Sequence, residues 1–261
     1  MKNRIPASSQ GRTGILLAAA TAMVMFSPPA LAAEVQIVPV ILTLTPTARS
    51  AVVTIKNDGK AEARFDLQVK AWSQTPLGEM VLAETDDIIV YPLVLAIAAG
   101  EERNLRVGIA TPFEEVEKTY RLIVEEIPPA EKPEGATVVQ ILNKFLIPIF
   151  VTPSKAVQKL VVADLADIAG KVTFRLVNEG NVHERPDTVK LLGLGADGKE
   201  IFQQELAAWY VLAGGVREYT ATVPKEACPA VRQLVVDVTL PPPRPPEPVR
   251  GRLEGPVTCA P

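Results

Sequence analysis

Short runs in which apolar and polar residues alternate, separated by turn-forming residues, constrain the fold of this chain more than any other feature. The clearest run spans residues 63–72, where Phe65, Leu67 and Val69 alternate with charged or amide side chains. Successive side chains of a β-strand point to opposite faces, so this pattern predicts a strand with one buried face. Residues 52–56 form a second run, and the turn at 57–59 predicts that the two strands pair as a hairpin.

Runs of this kind recur along the whole chain. Roughly seven occur in each half, at the spacing typical of immunoglobulin-like sandwiches, and no long segment shows the period of an amphipathic helix. The sequence therefore predicts an all-β protein with two immunoglobulin-like β-sandwich domains in tandem, at residues 33–152 and 153–240. Residues 241–261 are predicted to form a separate Pro-rich tail, because the mostly proline run at 241–248 has few donors for a sheet.

Residues 1–32 are predicted to be a signal peptide rather than part of the fold. Lys2, Arg4 and Arg12 make the N-terminus basic, and an uncharged apolar run follows at residues 14–26. The small residues that come next predict cleavage after Ala32 or Ala33. An uncleaved membrane anchor is the alternative, although the apolar run is shorter than the roughly 20 residues that a spanning helix needs.

The composition argues against several classes of function. The net charge is −3 and no long basic run occurs, which disfavours a nucleic-acid partner. The chain has a single His beyond its two Cys, so no metal set is expected, and His183 lies in a polar turn where we expect it to be solvated. No nucleophile elbow and no phosphate-binding glycine loop occurs, so neither an enzyme, a cofactor nor a small-molecule substrate is expected.

The two cysteines lie close to the C-terminus. A secreted chain reaches an oxidising compartment, which favours one disulfide between Cys228 and Cys259. Two separate thiols are the alternative, because Pro-rich sequence lies between the two positions.

Several motifs share the order and spacing of one protein family. The segment 117–128, E-K-T-Y-R-L-I-V-E-E-I-P, is similar to a signature of the PapD-like pilus-assembly chaperones. The segment 145–151, F-L-I-P-I-F-V, resembles the end of the last strand of their first domain. The resemblance covers most of residues 36–153, and weaker matches occur at 178–183 and 209–214. Further matching positions in the first half are Trp72-Ser73-Gln74, Gly78, Pro92, Gly100 and Leu105-Arg106-Val107.

The resemblance implies a binding mechanism in the periplasm rather than a reaction. Such chaperones lend a strand to pilus (fimbrial) subunits that lack one, and deliver them to an outer-membrane usher. In this chain the resemblance places the donor strand at residues 137–143, with Val139 and Ile141 pointing into the subunit groove and Val138 and Leu142 facing the chaperone core. Asn143 and Lys144 complete the expected subunit-binding strand. The alternatives are the opposite facing, since a one-residue slip exchanges the faces, and a strand buried on both faces within its own sandwich.

Two departures from the family concern charged residues. Many members hold the subunit's C-terminal carboxylate with a basic pair, and the matching positions here are Leu42 and Pro148. Neither residue binds a carboxylate, which leaves Lys144 as the only candidate on the donor strand. Glu117 matches a family acid that bridges the two domains, whereas the position of its Arg partner is occupied by Thr152.

The expected partners are therefore pilus subunits and an usher. The resemblance also allows a self-dimer through exposed donor edges. A chaperone-like secreted adaptor that does not serve pili is the alternative function, and the missing basic pair favours it. An unrelated secreted sandwich that binds carbohydrate is a third alternative, which the scarcity of aromatic residues disfavours.

Overall fold

Two β-sandwiches in tandem make up the described part of the chain, which comprises residues 34–128, 141–242 and 248–259 of a computed structural model. The segment 1–32 and residues Val138 and Val139 lie outside the described residues. Each sandwich has its own apolar core, so the predicted all-β fold with two immunoglobulin-like domains is confirmed. Among the described residues, no helix is long and apolar enough to cross a membrane.

Within its described residues, the first sandwich contains ten strands in two sheets. One sheet has the strand order β1-β3-β8-β6, and the other has the order β2-β10-β9-β4-β5, with β7 also pairing with β4. The inward-facing residues of both sheets form one core, in which Val53, Phe65 and Leu122 are fully buried. The strands are β1 Val35–Val38, β2 Leu42–Leu44, β3 Ser50–Asn57, β4 Ala63–Gln74, β5 Met80–Glu84, β6 Ile88–Tyr91, β7 Val94–Ile97, β8 Glu102–Ile109, β9 Lys118–Ile127 and β10 Lys144–Val151.

The predicted hairpin between β3 and β4 is wrong. The two strands follow one another in sequence, but they belong to opposite sheets of the sandwich. The connection crosses between the sheets at Asn57, whose side-chain amide donates to the carbonyls of Ala61 and Ile97 while its oxygen accepts from Gly59 N–H. The turn residues therefore stabilise a crossover instead of a pairing.

The second sandwich repeats this design with fewer strands. Its sheets have the orders β11-β12-β15 and β14-β13-β16-β17. Asn178 makes the same set of hydrogen bonds as Asn57. Its amide donates to the carbonyls of Val182 and Val211, and its oxygen accepts from Gly180 N–H. The elements are β11 Leu160–Ile168, β12 Lys171–Asn178, β13 Thr188–Leu194, β14 Glu200–Leu206, β15 Val216–Thr222, a 3₁₀ turn at Cys228–Ala230, β16 Gln233–Thr239 and β17 Val249–Glu254.

Strand β17 corrects the expectation of a separate tail over residues 241–261. It pairs antiparallel with β16 from Val249↔Val238 to Gln233↔Glu254, and Val249 and Leu253 pack against the core of the second sandwich. The mostly proline run ends before this strand, and residues 249–254 include one glycine and no proline. The C-terminal segment therefore completes a sheet.

A disulfide ties this C-terminal strand to the rest of the second sandwich. Cys228 and Cys259 are bonded, with their Cα atoms 5.7 Å apart and a separation of 31 positions in sequence. Beside the disulfide, Thr258 donates through its N–H and its hydroxyl to Asp167 Oδ2. The bond closes a loop that contains both β16 and β17.

Replacing both cysteines by serine is expected to lower the free energy of unfolding by roughly 3–4 kcal/mol, because the unfolded chain regains the entropy of that loop. Urea denaturation of the wild type with and without a thiol reductant, beside the Cys228→Ser/Cys259→Ser variant, measures the loss. Reductant should shift the wild-type midpoint and leave the variant unchanged. An unshifted wild-type midpoint would show that the two thiols are not paired in the folded protein.

Candidate functional site

One edge of β10 lacks a partner strand over half of its length. On one side β10 pairs with β9 along its whole length, from Lys144↔Glu125 to Val151↔Lys118. On the other side β2 pairs with only its last three residues, Ile149–Val151. Among the described residues, positions 144–148 therefore form an open edge that points away from β9.

The direction of the backbone groups on this edge follows from two flanking hydrogen bonds. Glu126 N–H donates to the carbonyl of Asn143 (2.8 Å), while Thr152 N–H donates to the carbonyl of Leu44 (2.9 Å). These directions alternate along a strand. The backbone N–H and C=O groups of odd-numbered β10 residues therefore point towards β9, and those of even-numbered residues point towards the open edge. Lys144 and Leu146 thus present N–H and C=O groups, whereas Pro148 presents a carbonyl alone.

Of the described residues predicted to bind a subunit, Ile141 and Asn143 precede this edge and Lys144 begins it. Ile141 is 80% exposed and Leu142 is 42% exposed, so Leu142 does not face the chaperone core as expected. The core side of β10 is instead formed by its later odd-numbered residues, such as Ile147 and Ile149. Asn143 is held by Glu126, which accepts from its backbone N–H (3.1 Å) and its amide (2.7 Å).

Lys144 already has a carboxylate partner in the free protein. Its ammonium lies 2.7 Å from Glu125 Oε2 across the strand pair, and both side chains are about half exposed. The pair is a solvated surface ion pair of the kind that contributes little to stability.

Arg121, on β9, is a cation that the sequence did not single out. Arg121 is 3% exposed, and its guanidinium lies over the Trp72 ring, 3.7 Å from the ring centroid. Nη1 donates to the carbonyl of Leu146 on the open edge (3.1 Å), while Nε and Nη2 are buried without a hydrogen-bond partner in the described structure. Burial lowers the pKa of Arg121, and its cross-strand neighbour on β10 is Pro148.

Aromatic side chains from both sandwiches meet beside Arg121 and form an elbow cluster. Trp72 and Phe150 come from the first sandwich, and Tyr210 and Leu212 come from the second. The Trp72 and Tyr210 rings are edge to face with centroids 5.5 Å apart, and Phe150 lies 5.6 Å from Tyr210. This buried contact joins the two sandwiches next to the end of the open edge.

A second contact at the elbow joins Glu117 to His183. Glu117 Oε2 accepts from His183 N–H (2.8 Å) and lies 2.7 Å from His183 Nδ1. The ring of His183 stacks on Phe150, with centroids 3.6 Å apart. His183 is therefore not the solvated loop residue that the sequence predicts. Its contact with Glu117 joins the two sandwiches, a role for which the family resemblance implies an Arg as the partner of Glu117.

The comparisons with known proteins agree with this architecture. Residues 34–157 match the family model described as pili and flagellar-assembly chaperone, PapD N-terminal domain. This domain is therefore similar to that of the PapD-like pilus-assembly chaperones, and the resemblance predicted from the sequence is confirmed. A search of curated protein sequences finds no match.

Solved structures share the fold over most of the chain. A chaperone–tip adhesion subunit complex of the CsuC–CsuE pair from Acinetobacter baumannii is 19% identical, with a TM-score of 0.58, covering 84% of this chain and 97% of that chain. The E. coli chaperone DraB is 17% identical, with a TM-score of 0.56 and coverages of 84% and 96%. The Salmonella enterica SafA pilin with its SafB chaperone is 14% identical, with a TM-score of 0.54 and the same coverages. At these identities the likeness establishes the two-domain fold.

Proposed function

We propose that this protein is a periplasmic chaperone that stabilises secreted pilus subunits by adding β10 and the residues before it to the subunit's open sheet, and then delivers the subunits to an outer-membrane usher. The open edge at 144–148, which continues into exposed Ile141, carries the proposal. Similar chaperones have been solved with a tip adhesion subunit and with a pilin. No catalytic step is needed, because binding alone protects the subunit.

Strand addition suits both partners physically. A subunit without one strand exposes an apolar groove and an unpaired edge, which promote aggregation. A donor strand supplies a ladder of backbone hydrogen bonds together with alternate apolar side chains. Lys144 and Leu146 offer the backbone groups, and the proposed groove residues are Val139 and Ile141.

The open edge also limits where the incoming strand ends. From Ile149 onward β2 occupies the edge, and Pro148 has no N–H to donate. The end of an incoming strand therefore lies close to Arg121, the cross-strand neighbour of Pro148. A buried guanidinium with two unused donors favours a carboxylate, and a strand whose C-terminal carboxylate lies there runs parallel to β10.

Arg121 can thus replace the basic pair whose positions are Leu42 and Pro148 in this chain. It arises from β9 and reaches the edge over β10 through its hydrogen bond to Leu146. Lys144 is less suited to the role, since Glu125 already neutralises it at the surface. The missing basic pair therefore does not require the alternative function of an adaptor that serves no pili.

Co-purification tests the strand-addition step. The full chain, tagged at its C-terminus, is isolated from its own periplasm beside the variants Val139→Asp and Ile141→Asp. Wild type should bring down a small secreted subunit, and each variant should recover at least tenfold less of it, because an unpaired carboxylate is costly in an apolar groove. Ile168→Asp is the matched control, since Ile168 is an exposed strand residue of the second sandwich.

Recovery of the subunit by Ile141→Asp at the wild-type level would reject strand addition through this segment. Recovery of a folded secreted protein that is not a fibre subunit would support the adaptor function in its place. Circular dichroism and thermal melting of each variant show whether the chaperone itself is folded. Ile141 is mostly exposed in the free protein, so its replacement should leave both signals unchanged.

A further inference from the structure

Strand β5 is an open edge of the first sandwich that is exposed on both of its faces. It ends the sheet order β2-β10-β9-β4-β5, and β4 is its only partner strand among the described residues. All five residues of β5 are exposed, whereas every other described strand has at least one residue that is buried or half-buried. Met80, Val81 and Leu82 are large apolar residues between 36% and 45% exposed. An unpaired edge of this kind favours pairing with another strand.

The other edge strands have features that oppose such pairing. In the second sandwich the edge strands β11, β14, β15 and β17 each carry two or more charged residues, and bulges interrupt β11 and β14. In the first sandwich β1, β2, β6 and β7 have only three or four residues, some of them packed in the core. Strand β5 has no proline and no bulge, and Lys70 on β4 already pairs with its one charged residue, Glu84.

The hairpin that carries β5 is held in place by the second sandwich. The carbonyl of Pro76, in the turn, accepts from Glu218 N–H (2.7 Å). The side-chain oxygen of Gln74, at the end of β4, accepts from Leu212 N–H (3.3 Å). A strand that is held in place loses less conformational freedom when it pairs than a frayed hairpin does.

The backbone groups on the open side of β5 belong to Met80, Leu82 and Glu84. At the turn of the hairpin, Thr75 N–H donates to the carbonyl of Glu79 (3.0 Å), so the groups of odd-numbered β5 residues point towards β4. The register between β4 and β5 has no shift. The N–H and C=O groups of the even-numbered residues therefore point away from the sandwich.

The open side of β5 is complementary to itself about Leu82. In an antiparallel pair with a twofold axis at Leu82, Met80 is opposite the partner's Glu84 and Val81 is opposite the partner's Ala83. Every outward N–H then meets a C=O, which gives about six hydrogen bonds. Apolar side chains meet on both faces, and no charged residue of β5 is opposite one of like charge.

We propose that β5 pairs with β5 of a second copy of this chain and forms a twofold dimer with one continuous sheet. A twofold contact uses the same patch on both molecules, which is what a self-complementary edge supplies. Since Lys70 already pairs with Glu84, β5 has no free charge that would select a different protein. Strand β10 lies towards the other end of the same sheet, so the open edge at 144–148 stays free in both copies.

Sedimentation velocity of the full chain purified from the periplasm tests the proposal. The wild type should shift from monomer to dimer at roughly 10–100 μM, because pairing of five residues buries less than a standard interface. Leu82→Lys places two ammonium groups opposite one another and should raise the dissociation constant about tenfold or more. A mixture of Leu82→Lys with Leu82→Asp should dimerise again. Gln203→Lys, at an exposed position of the edge strand β14, is the matched control.

Oxidation of cysteine variants tests the register. Paired residues have Cα atoms about 5.5 Å apart, which suits a disulfide. Leu82→Cys alone should therefore form a covalent dimer. Met80→Cys should form one only when it is mixed with Glu84→Cys, because four residues, or about 13 Å, separate Met80 from the partner's Met80. All three positions are exposed, so thermal melting of the variants should match that of the wild type.

The proposal is overturned if the wild type stays a monomer at the highest concentration at which it is soluble, or if Leu82→Lys dimerises as well as Gln203→Lys. Covalent dimers of Met80→Cys alone would contradict the register. The Ile141→Asp variant separates β5 from the donor edge and should dimerise like the wild type. A dimer that Ile141→Asp abolishes and Leu82→Lys preserves would show pairing through the donor edge instead.

Discussion

Replacing Arg121 by Met is expected to weaken subunit binding about a hundredfold, because removing one partner of a buried charge pair costs several kcal/mol. The same change should leave the free chaperone as stable as the wild type or more stable. In the free protein the guanidinium is buried with two donors unused, and an apolar side chain of similar size removes that desolvation cost. Opposite effects on binding and stability separate a binding role from a structural one.

The measurement uses the subunit that co-purifies with the wild type, once with its natural C-terminus and once with a short Gly-Ser extension. The extension moves the terminal carboxylate and should weaken binding to wild type much more than to Arg121→Met. Lys144→Met is the matched control, because Lys144 is an exposed cation on the same edge that Glu125 already pairs. An extension that weakens both chaperones equally would contradict the anchor and leave strand addition itself standing.

The strands of both sandwiches were accessible to sequence reasoning because alternation reports directly which side of a strand is buried. Residues 63–72, for example, lie within β4 and have the predicted buried face. Alternation does not report which strand pairs with which, and the predicted hairpin between β3 and β4 failed for that reason. Strand β17 was missed because the prolines before it dominate the local composition, while its pairing with β16 depends on tertiary contacts.

The candidate site likewise contains residues that the sequence could predict and residues that it could not. The donor segment was predicted from the resemblance to the family, through its position before the motif at 145–151, which is a local signal. Arg121 was not recognised, since a charged residue on a strand normally faces water, and here Trp72 on the neighbouring strand β4 covers it. The contact between Glu117 and His183 joins residues 66 positions apart, and it exists only because the two sandwiches meet at the elbow.

That contact leads to the other large expected effect. Replacing His183 by Ala should lower the free energy of unfolding by roughly 3 kcal/mol, because it leaves the Glu117 carboxylate buried without its imidazole partner. The Glu117 side chain is 1% exposed, so its carboxylate depends on protein partners while the His183 ring is in place. The change also removes the ring that stacks on Phe150.

A double-mutant cycle that combines His183→Ala with Glu117→Gln measures how much of the effect comes from the charge of the Glu117 carboxylate. The amide has no net charge to bury and keeps an oxygen for the His183 N–H, so Glu117→Gln alone should cost less than His183→Ala. The double variant should recover much of the loss, because it no longer buries an unpaired carboxylate. Urea unfolding followed by Trp fluorescence measures all four proteins, with Trp72 as a reporter inside the elbow cluster.

A His183→Ala variant as stable as the wild type, or a double variant no better than the single one, would show that the contact does not hold the elbow. The expected cycle has a consequence for binding. Phe150, on which His183 stacks, belongs to β10 and lies two residues beyond Pro148, which is the proposed end of an incoming strand. Loss of the contact between Glu117 and His183 should therefore also weaken subunit binding, because the second sandwich holds the open edge of β10 in place through Phe150.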